Sequence, residues 1–125
     1  MTQWMAVAGG GALGALARFL LAGQVTRLVG GVFPWGTLLV NVLGALVMGV
    51  LVELMALRLS VSPELRAFLT VGILGGFTTF SAFTLETVTM IERGAWSSAL
   101  AYVLASVLLC VSALFLGLWL VRTVV

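Results

Sequence analysis

The charged residues of this chain divide it into four long apolar stretches. Residues 1–26 carry one charge, at Arg18, and residues 28–52, 67–85 and 94–121 carry none. A helix that crosses a bilayer needs about 20 mostly apolar residues. The apolar residues run on continuously instead of alternating with polar ones, which excludes the strands of a membrane barrel. The pattern predicts a single all-α integral membrane domain over residues 1–125, with transmembrane helices near 4–26, 35–56, 63–91 and 95–122.

Local signals support two of the helix starts. Ser62 precedes Pro63 and Glu64, and a serine cap followed by proline in the first turn is typical of a helix N-terminus. Trp35 follows Pro34 at the start of the second stretch, where an aromatic ring suits the membrane interface.

Composition excludes several classes of protein. The chain is 62% apolar and 8% charged, whereas a soluble domain carries about 25% charged residues. It has no His and a single cysteine, Cys110, so structural zinc, haem ligation and disulfides are not expected. The arginines are scattered, so a nucleic-acid partner is not expected either.

The distribution of arginine gives little preference for one orientation in the membrane. Four helices place both termini and the middle loop on one side, with Arg58, Arg66 and Arg122, and leave Arg27 and Arg93 on the other. Because positive residues favour the cytoplasmic side, such a small difference is compatible with dual topology, in which the chain inserts either way up. Insertion in one orientation is the alternative.

Small residues recur at helical spacing, which allows close approach of helices in membranes. We expect these positions to pack against a second copy of the chain, with packing inside the chain as the alternative. The pairs are Gly10 with Gly14, Ala45 with Gly49, and Gly72 with Gly76.

Several polar side chains lie inside the predicted spans, where they need partners. Arg18 and Glu86 each either reach an interface or line a water-filled vestibule, and they are candidates to pair with each other. Asn41 lies one turn after Thr37, and its amide either joins two helices or donates to a passing anion. Tyr102 and Ser106 place a second pair of hydroxyls on one face of the fourth span.

The sequence of the third span predicts a break in its helix. Residues 72–84 combine two adjacent glycines with a polar cluster at the centre of the span, which weakens a regular helix and would free backbone carbonyls. Phe77, Phe80 and Phe83 recur every three residues. Such a row either packs against lipid and protein or lines an anion path with its electropositive ring edges.

Three motifs give the chain a resemblance to a known family. Residues 10–19 read GGALGALARF, residues 35–44 read WGTLLVNVLG, and residues 75–83 read GGFTTFSAF. In this order and spacing they resemble the Fluc (CrcB) fluoride channels, and the resemblance covers the whole chain.

The resemblance implies an antiparallel, dual-topology homodimer with two parallel fluoride pores. Each pore would take Asn41 from one subunit and Phe80 and Phe83 from the other. The backbone carbonyls of Gly75 and Thr78, two from each subunit, would hold a structural Na+ on the two-fold axis.

Further site residues follow from the same resemblance. Arg18 and Glu86 would lie in or near a vestibule. A polar wall opposite the phenylalanine rings would comprise Thr37, Ser81, Tyr102 and Ser106. The chain departs from the family at Ala82, where a threonine is usual, and the lost hydroxyl is expected to affect conduction rate more than selectivity. Cys110, one turn beyond Ser106, would be a weak polar contact at the end of this wall.

We therefore expect a passive, fluoride-selective channel of the bacterial inner membrane that lets cytosolic fluoride leave. Two alternatives are a small proton-coupled drug exporter and a non-transporting assembly subunit. The exporter would need a carboxylate early in the chain, where the first span has Arg18 and no acid. An enzyme is not expected, because no nucleophile is paired with a base and no phosphate-binding loop occurs.

Overall fold

Five helices form the described part of the chain, and they group into four units of membrane-spanning length. The computed structural model describes residues 2–125. Helix α1 is Gln3–Val29 and α2 is Trp35–Leu57. The third unit contains α3, which joins the segments Pro63–Arg66, Ala67–Leu74 and Gly75–Phe77, and then α4, Phe80–Glu92. Helix α5 is Trp96–Val124.

All four units are long and apolar enough to cross a membrane, and an 18-residue stretch of each has a mean hydropathy of 1.6, 2.3, 1.6 and 2.5 in chain order. The four predicted spans are thus confirmed, and their ends agree to within three residues. At the start of α3, the Ser62 hydroxyl accepts a hydrogen bond from the Leu65 amide at 3.1 Å, which is the cap that the sequence predicts.

Helix α1 packs along α3 through glycine backbones. A Cβ added at Gly10 would lie 2.5 Å from the Phe68 carbonyl oxygen and 3.0 Å from the Gly72 Cα. A Cβ at Gly76 would lie 2.7 Å from the Gly11 carbonyl oxygen. Only hydrogen fits at these contacts, so the glycines let the two helices approach at backbone distance.

Helix α2 packs along α5 in the same way. Gly49 faces the backbone of Leu114 and Gly117, and a Cβ at Gly117 would lie 2.5 Å from the Leu46 carbonyl oxygen. The expectation that the small-residue pairs pack against a second copy is therefore wrong for all five glycines of these pairs, and the alternative of packing inside the chain is confirmed for Gly10, Gly14, Gly49, Gly72 and Gly76. Their spacing identified close helix contacts but not which helix makes them.

The third unit departs from α-helical geometry twice. Residues Ala67–Leu74 form a wider, π-type helix, and the chain becomes extended at Thr78 (φ −89°, ψ 158°) and Thr79 (φ −151°, ψ 124°). The predicted break is confirmed, but it follows the adjacent glycines instead of falling on them, since Gly75–Phe77 is helical. Threonine side chains bond to nearby backbone and so compete with the helix at this point.

The ends of α2 and α5 are joined by charged groups that the sequence did not single out as a pair. Glu53 is 9% exposed, and its Oε1 accepts from Arg122 Nε at 2.9 Å while its Oε2 accepts from an Arg122 terminal nitrogen at 3.3 Å. The Arg58 guanidinium donates to the Val125 carbonyl oxygen at 2.7 Å. These bonds fix the end of the bundle that holds the chain's C-terminus.

We predict opposite effects for alanine at two neighbouring glycines of α1. Gly10→Ala places its Cβ 2.5 Å from the Phe68 carbonyl oxygen and should destabilise the protein by about 1–3 kcal/mol. The control is Gly9→Ala, whose Cβ meets no atom within 4 Å and whose helix propensity improves. Thermal unfolding in detergent measures the difference, and equal melting temperatures for the two variants would contradict the close α1–α3 contact.

Candidate functional site

The break between α3 and α4 is held by the side chain of Asn41, from α2. Asn41 Nδ2 donates to the Thr79 carbonyl oxygen at 3.0 Å, and the Thr79 amide donates to Asn41 Oδ1 at 2.8 Å. Both polar groups of one backbone residue thus find partners on a single side chain. The structure therefore gives Asn41 the helix-joining role that the sequence left open. Its amide group has a second N–H, which is the one that remains for an anion.

Thr79 also begins α4, a role that the sequence analysis missed. Its Oγ1 accepts from the Ala82 amide at 3.1 Å and lies 3.3 Å from Ser81 Oγ. This is an N-cap, in which a hydroxyl oxygen replaces the missing helical carbonyl. A sequence signal for this role exists, because threonine is one of the residues preferred at the N-cap of a helix.

These bonds remove the usual partners from two backbone carbonyls. In a continuous helix the Thr79 amide would donate to the Gly75 carbonyl and the Ala82 amide to the Thr78 carbonyl. The Thr79 amide instead donates to Asn41, and the Ala82 amide donates to the Thr79 hydroxyl. The Gly75 and Thr78 oxygens are thereby freed from the helical pattern, and carbonyl oxygens are ligands suited to a hard cation.

Arg18 contacts the same break from α1. Its Nε donates to the Gly76 carbonyl oxygen at 3.0 Å. An arginine that lies well inside the first span therefore bonds to the backbone just before the break. Its possible pairing with Glu86 is not formed, because Glu86 accepts from other residues. Arg18 thus pairs with a backbone carbonyl, which a search for an oppositely charged side chain does not find.

Glu86 is instead the acceptor of a hydroxyl cluster that joins three helices. Thr37 Oγ1 of α2 donates to Glu86 Oε2 at 2.9 Å, and the Tyr102 hydroxyl of α5 donates to Glu86 Oε1 at 3.0 Å. Thr37 and Tyr102 are buried, at 7% and 0% exposure. Their hydroxyl hydrogens are committed to the carboxylate of α4, so neither is a free donor for an anion here.

Aromatic rings extend this cluster towards the break. The Phe83 ring lies 5.1 Å from the Tyr102 ring and 5.4 Å from the Phe80 ring, centroid to centroid. Both distances fall within the range of favourable aromatic pairs. Phe77 does not join them, because its ring lies against Gly44 of α2. The row of three phenylalanines is thus divided by the break.

A cavity of about 430 Å³ lies between α2, the break and α5. It brings together four of the residues predicted for the fluoride pore, Asn41, Phe80, Phe83 and Ser106, with Thr78, one of the two residues predicted to bind Na+. The other side chains predicted for the site, those of Arg18, Thr37, Ser81, Glu86 and Tyr102, are not among its lining residues. The remaining lining residues are Gly44, Ala45, Met48, Thr79, Val107, Cys110, Val111 and Leu114.

Two features of the cavity suit a small anion. Ser106 is 7% exposed, and within the described part of the chain its Oγ is buried without a hydrogen-bond partner, so this residue of the cavity wall keeps an uncommitted donor. Phe80 also lines the cavity, and its side chain is 79% exposed, so the cavity reaches the surface of the chain at this ring. The cavity therefore combines an unpartnered donor with aromatic rings, and one of its walls lies at the surface of the chain.

Comparison with known proteins gives matches along nearly the whole chain. The family model described as CrcB-like protein, Camphor Resistance (CrcB), matches residues 5–118. A protein of Chelativorans sp. (strain BNC1) named fluoride-specific ion channel FluC is 55% identical over 124 residues, which cover 99% of each chain. Proteins with the same name from Rhodospirillum centenum and Agrobacterium fabrum are 53% and 51% identical, over 100% and 93% of this chain and 99% and 93% of their own.

The cap of α4 gives a prediction at a single atom. Thr79→Val keeps the shape of the side chain but removes the oxygen that accepts from the Ala82 amide, and should cost about 1 kcal/mol of stability. Thr79→Ser keeps the oxygen and should lose less. Detergent unfolding of the two variants, side by side with the unchanged protein, measures this order. If the serine variant is as unstable as the valine variant, the hydroxyl cap does not hold the break.

Proposed function

The chain belongs to the CrcB-like family, as its three motifs predicted, and we propose that it is a passive, fluoride-selective channel of a bacterial membrane. The observation that carries the proposal is identity of about half or more, over almost the full length, with proteins named fluoride-specific ion channels. A channel is not an enzyme, and four membrane-length helices make this one a multi-pass membrane protein.

The cavity suits the chemistry of fluoride. Fluoride is small and strongly hydrated, so it needs donors that replace its water without holding it too tightly. Ser106 supplies an unpartnered hydroxyl, and Asn41 supplies the amide N–H that Thr79 does not use. The electropositive edges of Phe80 and Phe83 add attraction without a fixed charge.

The Glu86 cluster supports this cavity from one side. By accepting from Thr37 and Tyr102, Glu86 fixes the Tyr102 ring, and that ring packs on Phe83. We assign these residues to positioning Phe83. The vestibule role of Arg18 and Glu86 and the place of Ser81 on a polar wall remain predictions of the family resemblance.

A second copy of the chain, in antiparallel orientation, would complete the path. Phe80 is 79% exposed, and the cavity it borders opens at the surface of the chain. A partner would cover this surface, and a two-fold axis would create two equivalent pores. The resemblance implies that Asn41 of each pore faces Phe80 and Phe83 of the partner copy. Within one chain Asn41, Phe80 and Phe83 already line one cavity, so the division of the pore between two subunits stays a prediction of the resemblance.

A structural Na+ fits the break. The Gly75 and Thr78 carbonyls have lost their usual helical donors, and Gly75 is exposed. Two such oxygens from each of two copies would supply four hard ligands. The ion would bind carbonyl oxygens that the membrane cannot solvate.

Fluoride release from liposomes tests the function directly. Purified protein is reconstituted in vesicles loaded with potassium fluoride or potassium chloride, and valinomycin carries the potassium out. A fluoride electrode should record rapid release without an imposed proton gradient, and a chloride electrode should record none. Absence of fluoride release from folded protein would favour the two alternatives, the drug exporter and the assembly subunit. Dependence of fluoride release on a proton gradient would mean coupled transport instead of a passive channel.

The aromatic rings give a prediction within the same assay. Phe80→Ile and Phe83→Ile each remove a ring from the cavity and should slow fluoride release by about tenfold, equivalent to about 1.4 kcal/mol in the barrier. The control is Phe115→Ile, whose ring is 65% exposed and does not line the cavity. Size-exclusion chromatography checks that assembly is retained. Normal release from both cavity variants would remove the rings from the mechanism.

Dual topology gives a separate prediction in cells. Ser60→Cys and Val32→Cys place a thiol in the loops on opposite sides of the membrane, in a Cys110→Ser background. With a membrane-impermeant maleimide, about half of the molecules should be labelled from outside at either position. Full labelling at one position and none at the other would mean a single orientation.

A further inference from the structure

Arg18 keeps a positive charge inside the first span without a carboxylate partner among the described residues. The ion pair in that part of the chain joins Arg122 to Glu53, at the ends of α5 and α2. Glu86 accepts from two hydroxyl groups of other helices. Arg18 is only partly exposed, and its bond to the Gly76 carbonyl oxygen leaves the charge itself uncompensated. An ionised side chain in a membrane span is costly and therefore points to a function.

The bond to Gly76 places this charge at the carboxyl end of α3. Gly75–Phe77 is the last segment of α3, and the carbonyls of a final helical turn form the negative end of the helix dipole. The contact is close, because a Cβ at Gly76 would lie 2.7 Å from the Gly11 carbonyl oxygen and 3.1 Å from the Ala15 nitrogen. Arg18 follows Ala15 by three residues and so lies on the same face of α1.

The cation proposed for the break would approach the same end of α3. Its ligands, the Gly75 and Thr78 carbonyl oxygens, belong to the residue before Gly76 and to the residue that follows α3. Carbonyl oxygens are also ligands of Ca2+, so the ligand set alone does not select a monovalent ion. Residues 75–80 include no acid, and the charged side chain that bonds to this segment is Arg18.

We propose that Arg18 is a specificity-determining residue of this cation site, and that its charge makes the break accept Na+ and reject divalent cations such as Ca2+. The proposal rests on the Na+ site proposed above. Repulsion is proportional to the charge of the ion, so at one position Arg18 opposes Ca2+ twice as strongly as Na+. In the two-fold arrangement each cation would face Arg18 of both copies, which doubles both terms.

The test measures how Na+ and Ca2+ change the melting temperature of the purified protein in detergent. Each ion replaces N-methylglucamine at constant ionic strength, with chloride as the anion and no fluoride. A ligand that binds only the folded protein stabilises it by mass action, so the rise in melting temperature with concentration gives a dissociation constant for each ion. Na+ should stabilise the unchanged protein at concentrations where Ca2+ has little effect.

Arg18→Gln removes the charge and keeps an N–H donor for the Gly76 carbonyl. It should tighten Na+ binding about tenfold and Ca2+ binding about a hundredfold, because the repulsion energy that is removed is twice as large for the divalent ion. Arg18→Met, a second uncharged variant, repeats the comparison with a side chain suited to lipid. Arg18→Lys keeps the charge and should keep the preference for Na+.

Arg27→Gln is the matched control. It removes the same charge from the exposed last turn of α1, nine residues from Arg18. Nine residues span about 13 Å of helix, which is longer than the screening length of about 10 Å at 0.1 M salt. Both dissociation constants should therefore stay as in the unchanged protein.

A purely structural role of Arg18 looks different. It would lower the melting temperature of the uncharged variants without added ions and leave the ratio of the two dissociation constants unchanged, which would overturn the proposal. Equal changes in Arg27→Gln, or loss of the Na+ preference in Arg18→Lys, would overturn it as well. If neither ion stabilises any of these proteins, the cation site is absent and the proposal falls with it, while fluoride release from liposomes still tests the channel separately.

Discussion

The backbone between Phe77 and Phe80 leaves helical geometry inside an apolar span, and every polar group it frees needs a partner there. Side chains of α1 and α2 supply partners for three of these groups. Asn41 satisfies both groups of Thr79, and Arg18 takes the Gly76 carbonyl. The rest of the structure depends on this exchange, because it fixes where α4 starts and therefore where Phe80 and Phe83 lie.

Such side chains reach the break because the helices approach closely. Helices α1 and α3 meet at backbone distance through Gly10 and Gly76, which brings Arg18 to the carbonyl at the end of α3. On α2, Gly44 makes room for the side chains of Thr78 and Phe77 one turn from Asn41. The break therefore depends on the glycine packing, since a wider spacing of the helices would leave the freed backbone groups without partners.

Sequence patterns predicted the helices and the residues that need partners, but not the partners themselves. Charge spacing located all four spans, because the cost of burying charge acts on each residue independently. The suggested pairing of Arg18 with Glu86 is wrong, because the sequence predicts that the break frees carbonyls but does not show which side chain of another helix reaches them. The glycines and the polar cluster of residues 72–84 together predicted the break, but not which of them interrupts the helix: Gly76 serves close packing, and the extended residues are Thr78 and Thr79.

The distribution of hydrogen-bond donors around the cavity explains how a polar site can remain a weak one. The Thr78 hydroxyl donates to the Leu74 carbonyl, and the Thr79 hydroxyl is engaged with Ala82 and Ser81. Asn41 has already given one N–H to Thr79. What the cavity offers an anion is therefore the Ser106 hydroxyl, one remaining amide N–H and two ring edges, with no arginine on its wall. Each contact is modest, and a guest held by a few modest contacts exchanges with water quickly, which is the condition for conduction instead of capture.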